Sequence, residues 1–492
     1  MSNPNNAINQ VFMRIAERAE HSDLQLLVNT FVDIGNLFTV LSTRNNQVIY
    51  GRRGAGKTHA FKYLLNSVNS SGDIGIYIDL RTLGSSNSFY GDKETTISQR
   101  ATKLLIDLIT SLHSSIYKHF AQKEDNTALA ALDTHLDLLS THVIDIRVES
   151  ETINNKLASV SFGTIERILK GIAKALAPRK VWLLLDEWSS IPLEIQPYLA
   201  DFIRKSILPV ENVIVKIASI EHRTSFYLPK KNNEYVGIEL GADMSVAVNL
   251  DDYLVFDNDP KIARVFFQEL LYKHYQATEL QAMVKLAVSS EDLIRQAFTQ
   301  INVFDEFVRA SEGVPRDAMM IIGNAAQKAL FSSISMEHIR AAARNLYLMS
   351  KNAQIGKNVP AKTLLEWTID EVIKKRKSRA FLLRSGERYE LIDFLFDNRI
   401  LHIMKRSISA RDQPGIKYDV YKIDYGCYVE LINTSRSPQL LLPLEDFKQL
   451  DDRDLLNVPF DDYRSIRRAI LDMKRAEKHL AGVIEFQESK IE

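Results

Sequence analysis

The sequence predicts an α/β protein: a parallel sheet covered by helices on both faces, then a helical subdomain, then a smaller α+β domain. Three observations carry this. Apolar runs at Gln47-Val-Ile-Tyr50, Ile74-Gly-Ile-Tyr-Ile-Asp79, Val181-Trp-Leu-Leu-Leu185 and Val213–Ser219 are separated by stretches of helical spacing, the pattern of strands buried on both faces. Beyond about Pro260 the strand pattern stops and helical spacing runs from Lys261 to Lys351. After a loop at 352–361, helical and strand-like segments mix again.

In chain order, residues from about Gln10 to Leu41 carry apolar positions at helical spacing, among them Phe12, Ile15, Leu24, Leu27, Phe31, Ile34 and Leu37. The first strand breaks into Gly51-Arg-Arg-Gly-Ala-Gly-Lys-Thr58, and a helix follows from His59 with Phe61, Leu64 and Leu65 on one face. Ser70-Ser71-Gly72 turns the chain into the second strand. Helices over roughly Thr95–Phe120 and Ala128–His142 then interrupt the march to the third strand and read as an insertion on the sheet's periphery. Pro192 is expected to open a helix reaching Leu208, since proline is tolerated in a first helical turn. Val246–Leu250 supplies a fifth strand. Helices are expected at Ala318–Leu330, Met336–Leu348, Thr363–Lys377 and Tyr389–Lys405, strands at Ala380–Leu383 and Tyr418–Tyr425, and a hairpin around Pro414-Gly415 and Cys427–Leu431.

The chain of 492 residues is long enough for about three domains. Lys+Arg and Asp+Glu are both 62, so the molecule as a whole offers no long-range attraction to phosphate, and nucleic-acid binding needs a local basic face. The single cysteine, Cys427, excludes an intramolecular disulfide and a multi-cysteine zinc site and fits a reducing compartment. The N-terminus lacks a basic region followed by an apolar core, and no run reaches the roughly 18 apolar residues of a membrane span. A cytoplasmic location and no membrane partner are expected.

The loop Gly51-x-x-x-x-Gly56-Lys57-Thr58 has the residues for holding a triphosphate. Its glycines let consecutive backbone N–H groups face phosphate oxygens at the positive end of the next helix, which makes Gly51, Arg52, Arg53, Gly54, Ala55, Gly56 and His59 candidate nucleotide-binding residues beside Lys57 and Thr58. Lys57 is placed for the β- and γ-phosphates and the Thr58 hydroxyl for Mg²⁺. The third strand ends in Asp186-Glu187, a carboxylate for the metal followed by one to polarise an attacking water. Both features emerge at the carboxyl edge of a parallel sheet, where open α/β folds bind ligands. The eleven histidines form no His-x-x-x-His pair, and no Gly-x-Ser-x-Gly motif occurs, so Mg²⁺ is the only metal these motifs call for, beside the triphosphate of ATP.

Gly51–Thr58, Val181–Glu187, a polar residue ending the next strand and Gly313-Val-Pro-Arg316 together resemble the AAA+ ATPases, within them the origin-recognition (ORC-like) branch and the related STAND-type ATPases. The resemblance covers about residues 25–350. It implies a P-loop NTPase core at 45–258 with the insertion at about 113–160, preceded by an N-terminal helical segment at 1–44 and followed by a helical lid at 259–352. It implies ATP hydrolysis with Glu187, Lys57 and Arg316 as catalytic residues, Thr58 and Asp186 on the metal, Ser219 sensing the γ-phosphate and Arg316 reaching it from the lid. Arg204 and Arg223 lie where oligomeric members supply an arginine to a neighbour, and a homo-oligomer or a partner protein is an expected assembly.

The order of elements at 362–445 resembles a winged-helix domain, which in ORC-like proteins binds duplex DNA; 446–492 reads as a helical appendage. Between Lys374 and Lys422 thirteen basic residues face six acidic ones, an excess of seven. Arg399, Lys405, Arg406, Arg411 and Lys417 are the candidate contacts to double-stranded DNA. The alternative is an ATPase or scaffold subunit of a prokaryotic signalling or antiphage defence complex, in which the winged helix docks a protein. A DNA-translocating motor is less favoured because no pore-loop or helicase motif stands out.

Overall fold

The computed structural model describes residues 4–488 except 16–23, 34, 85–89, 91–94, 153–159, 258, 279–286, 376–378, 410–414 and 433–468. They form a sheet unit, Ser22–Arg52 with Gly56–Leu250, and a C-terminal unit, Asp251–Glu492 with Met1–His21 and Arg53–Ala55. The first helix, α1 (Pro4–Met13), belongs to the C-terminal unit, whereas α2 (Leu24–Thr30) and α3 (Leu37–Leu41) belong to the sheet unit.

The sheet is built from β1 (Gln47–Tyr50), β2 (Ile74–Asp79), β3 (Val181–Asp186), β4 (Val213–Ser219) and, beyond a hairpin of β5 (Tyr227–Pro229) and β6 (Tyr235–Gly237), β7 (Ser245–Asn249). Its order is β2-β3-β4-β1-β7 and every pairing is parallel, so all five strands end at one carboxyl edge. Every residue of β3 is buried, as a strand with helices on both faces requires. The second, third and fourth strands and Val246–Leu250 thus lie close to where the apolar runs put them.

Between β1 and β2 lies α4 (Lys57–Ser70), and between β2 and β3 lie α5 (Ile97–Gln122), α6 (Asn126–Thr152) and α7 (Phe162–Leu176). Thr96 and Gln99 close a reciprocal capping box at the start of α5, satisfying backbone N–H groups that have no partner in the first turn. Leu104, Leu108 and Leu112 of α5 and Leu132, Leu136 and Leu139 of α6 join the core built on the sheet, so the inserted helices extend that core. The helix expected from Pro192 begins instead at Gln196: α8 (Gln196–Phe202) runs into a π turn at Ile203–Ile207, and the Pro192 carbonyl closes a separate turn by accepting from the N–H groups of Ile195 and Gln196.

The C-terminal unit contains α9 (Pro260–Gln276), α10 (Ser290–Ala297), α11 (Ile301–Ala310), α12 (Pro315–Ala329), α13 (Met336–Leu346), α14 (Asn352–Ile355) and α15 (Val359–Thr368). The Asn9 amide of α1 donates to the carbonyls of Leu330 (2.8 Å) and Ser332 (3.0 Å) beyond α12. An antiparallel sheet follows, with β10 (Lys417–Ile423) between β8 (Ala380–Arg384) and β9 (Leu401–Ser409). The helices α16 (Glu390–Asp397), α17 (Tyr425–Ile432) and α18 (Met473–Glu488) complete the described elements.

Two expectations fail here for local reasons. The helix expected over Tyr389–Lys405 stops at Asp397, because Arg399 turns into the left-handed region (φ 61°), Arg399 N–H bonds the Phe396 carbonyl and Ile400 N–H the Leu395 carbonyl. That is a Schellman stop made without glycine, and Leu401 then starts a strand. Cys427–Leu431 is helical rather than part of a hairpin, because the Asp424 carboxylate accepts the Cys427 N–H at 3.2 Å and caps α17. Cys427 itself is buried, and burial pushes its thiol up to about 12. The Pro414 side of the expected hairpin turn and most of the appendage at 446–492 lie outside the described residues.

Candidate functional site

The loop Gly51–Gly56 leaves β1 and winds into α4 through two positive-φ glycines, Gly54 (86°) and Gly56 (102°), the latter capping the helix. The Gly51 N–H is pinned to the Ser219 carbonyl at the end of β4 (3.2 Å). Lys57 is buried, and its ammonium folds back on the loop, donating to the carbonyls of Gly51 (2.5 Å) and Arg52 (3.2 Å). Arg52 and Ala55 are buried and Arg53 is exposed. One residue past Thr58, the His59 ring nitrogen Nε2 lies 2.6 Å from the Leu27 carbonyl and the ring meets Phe31 edge-on, so His59 locks α4 to α2.

The Thr58 hydroxyl donates to Asp186 Oδ2 at 2.7 Å, although 128 residues separate them in sequence. Asp186 is completely buried at the end of β3, and its other oxygen accepts the Glu187 N–H at 2.8 Å. Glu187 holds a left-handed backbone (φ 58°), a strained position for a non-glycine residue. It is clamped from the far side by Trp188, which is buried against Phe226 and donates from Nε1 to Gln196 Oε1 at 3.0 Å. Lys57, Thr58, Asp186 and Glu187 therefore gather at one carboxyl edge, as the motifs require.

Ser219 is fully buried, and its hydroxyl contacts those of Ser189 (2.9 Å) and Thr224. Ser189 also accepts the Ile220 N–H at 2.7 Å, so the hydroxyl cluster ties the end of β4 to the turn that carries Glu187. Tyr77, Ser189 and Gln196 were not signalled by any motif. Tyr77 donates to Asp186 Oδ2 at 2.9 Å; burial and the adjoining carboxylate push its phenol well above its ordinary range, so the proton stays on the oxygen. The only hint in the sequence is an aromatic hydroxyl on the face of β2 shared with Asp79.

Arg316 opens α12 behind Pro315. Its backbone N–H donates to the Gly54 carbonyl at 3.3 Å, and a Cβ added to Gly54 would come 2.8 Å from the Arg316 Cβ; both residues belong to the C-terminal unit. Arg204 pairs with Asp201 (2.8 Å) and lies over the Tyr235 ring, and the Arg223 carbonyl accepts from Gln196 at 3.0 Å.

The basic stretch 374–422 is less free than its composition suggests. Arg399, expected on a DNA-facing surface, is buried against Asp317. Arg379 pairs with buried Glu312, and Lys422 with Glu312 (2.5 Å) and Asp257. Arg406 bonds Asp252 at 3.1 Å. Lys405 and Lys417 are exposed, whereas Arg376, Lys377 and Arg411 lie outside the described residues.

A threonine hydroxyl and a carboxylate are hard oxygen donors that suit Mg²⁺. Among the described residues no group of three or more His, Cys, Asp or Glu side chains could hold an ion alone. A cation at Thr58 and Asp186 would therefore draw its remaining ligands from phosphate and water, the usual habit of Mg²⁺. The residues present fit the pair ATP and Mg²⁺.

A sequence model described as ORC-CDC6-like matches residues 16–303, more than half of the chain. The chain belongs to the ORC-CDC6-like family. No curated protein matches the sequence significantly. Among solved structures, this ORC-CDC6-like chain is similar to Cdc6p from Pyrobaculum aerophilum, with 13% identity, a TM-score of 0.34 and coverage of 88% of this chain and 99% of that one. It is also similar to the Aeropyrum pernix Orc1 protein in complex with DNA, with 12% identity, a TM-score of 0.30 and coverage of 88% and 98%. The P-loop NTPase core with a further C-terminal domain accords with this membership. No helix of the described residues is long and apolar enough to cross a membrane.

Proposed function

We propose that this ORC-CDC6-like protein binds ATP with Mg²⁺, hydrolyses the β–γ bond and uses the difference between the two nucleotide states to govern DNA binding or assembly. The observation that carries the reading is the Thr58–Asp186 contact beside the Lys57 ammonium. Two metal-ligand types that lie 128 residues apart in the chain meet at the N-terminus of α4, which a phosphate-seeking cation, Lys57, opens. Lys57 then trades the loop carbonyls for the β- and γ-phosphates. When bound, Mg²⁺ neutralises charge on the phosphate oxygens. Glu187 polarises the attacking water, and its clamped backbone fixes where that carboxylate starts. Ser219 orients the Glu187 turn through Ser189. Arg316, whose backbone touches the loop, senses the γ-phosphate and couples its loss to the lid helices.

Glu187→Gln tests the assignment: hydrolysis falls by at least about a hundredfold while ATP binding persists. Equal loss of both would remove Glu187 from its role. For DNA, exposed Lys405 and Lys417 are the supporting residues, and affinity should fall steeply with salt, with Lys405→Ala lowering the log–log slope by about one.

A second reading, a protein-docking C-terminal domain in a signalling or antiphage defence assembly, is favoured by a different observation. Arg379, Arg399 and Lys422 are committed to internal acids, and α16 carries Glu390, Asp393 and Asp397 with no basic residue. Absence of DNA binding at moderate salt would select it.

A further inference from the structure

Asp186 has three donors around it, and one of them, Tyr77, has no place in the nucleotide motifs. Tyr77 and Asp79 lie on one face of β2, and the parallel register sets Tyr77 beside Leu184 and Asp79 beside Asp186. This brings the Tyr77 phenol across to Asp186 Oδ2 (2.9 Å), the same oxygen that accepts from Thr58 (2.7 Å). The other oxygen is held by the Glu187 N–H at 2.8 Å. Lys62, one helical turn after Thr58 on α4, sits with its ammonium 3.4 Å from the centre of the Tyr77 ring. A cation over the ring draws electron density from it and makes the phenol a better donor. The Lys62 ammonium is itself destabilised by burial, against the pull of Asp186 and Asp79.

We infer that Tyr77 is a positioning residue that fixes the cation-binding carboxylate of Asp186, with Lys62 steadying the phenol through its ring. Thr58 can give its proton to Asp186 and keep its lone pairs for a cation. With that hydroxyl also engaged by a ligand, the phenol is a second side-chain donor that sets the carboxylate's plane from outside the metal site. A carboxylate oriented in advance by an outer hydrogen bond binds metal more tightly than one that must reorganise. This rests on the reading of Thr58 and Asp186 as metal ligands, and the experiment separates failure of the two.

The 492-residue chain carrying Tyr77→Phe, which keeps the ring and its cation contact but lacks the donor, is titrated with a fluorescent ATP analogue in EDTA and then with Mg²⁺ at fixed nucleotide. Nucleotide affinity in EDTA should stay at the wild-type value, while the half-saturating Mg²⁺ concentration rises about tenfold. Lys62→Met should shift the same midpoint in the same direction by less. An unchanged midpoint in Tyr77→Phe, or an equal loss of affinity with and without Mg²⁺, overturns the positioning role. Asp186→Asn is the reference and should lose the Mg²⁺ response. If it titrates like wild type, the metal site itself is misread; if it responds as expected and Tyr77→Phe does not, only the inference about Tyr77 falls.

Discussion

In the sheet unit, β3 buries six consecutive residues, five of them apolar, and its one carboxylate, Asp186, sits at the strand's end with hydrogen bonds from Thr58, Tyr77 and the Glu187 N–H. The C-terminal unit buries a linked set of opposite charges. Asp317 pairs with Arg399 and with Lys351 (2.8 Å), Lys351 with Asp424 (2.5 Å), Asp424 with His402 (3.3 Å), and Glu312 with Lys422 (2.5 Å) and Arg379. Four of these pairs tie the stretch 312–351 to residues in and around the antiparallel sheet β8–β10, within one unit. Apolar packing is tolerant of small shifts, whereas a buried ion pair is stable only with both partners in place. The difference teaches that the same residue types sit at the edge of a sheet in one unit and form an internal joint in the other.

The comparison breaks most sharply at Asp317. Asp317→Ala strands Arg399 inside the protein, leaves Lys351 with Asp424 as its remaining carboxylate partner, and should destabilise the C-terminal unit by about 3–5 kcal/mol. The matched change in the sheet unit, Leu184→Ala in β3, leaves a cavity worth about 3 kcal/mol. Hydrogen exchange during urea unfolding, read separately over the two units, checks both. Each substitution should act on its own unit, and equal loss across both would mean that the units unfold as one.

The pH dependence sharpens the contrast. Burial alone would raise the Asp317 carboxyl, but Arg399 and Lys351 hold it below the usual carboxylate range. Its contribution is present above the unfolded value of about 4 and is lost as pH falls through the folded one. Burial works against the Lys351 ammonium, yet Asp317 and Asp424 raise it above its ordinary 10.5, so its contribution persists until strongly alkaline pH. In the sheet unit Lys216 is fully buried, held by the carbonyls of Thr43 and Asn45 (both 2.8 Å) and by Gln47. Burial lowers it from 10.5 to about 7, so the unfolded chain binds the extra proton between those values. Sheet-unit stability should therefore climb from pH 7 toward 10, with the contributions of Asp317 and Lys351 flat there, and Lys216→Met should remove the climb. Thermal unfolding of each unit across that range decides it. The smallest effect belongs to the exposed Lys375–Glu371 pair, where Lys375→Ala should change stability by less than about 0.5 kcal/mol.

How much of this was legible depended on sequence distance. Strands covered on both faces announce themselves as apolar runs, and the loop at 51–58 and the acid pair at 186–187 carry their chemistry in adjacent residues. Arg399 was misread because its partner, Asp317, lies 82 residues away, and a local count of charge cannot see such a partner. Tyr77 was missed for the same reason, since its acceptor is 109 residues on. The short α16 was overrun because its stop uses Arg399 in a conformation normally signalled by glycine. A capping Asp424 outweighed the strand-like look of the apolar run after it.

Cys427 gives the molecule a practical property. Sealed in the core as a neutral, unreactive thiol and without a second cysteine in the sequence, it leaves the native chain nearly silent toward maleimide dyes. One cysteine introduced at exposed Lys405 and another at exposed Lys230 of the β5–β6 loop would take a fluorophore pair without any background mutation. Energy transfer between them could then follow the two units through a cycle of nucleotide uptake and release.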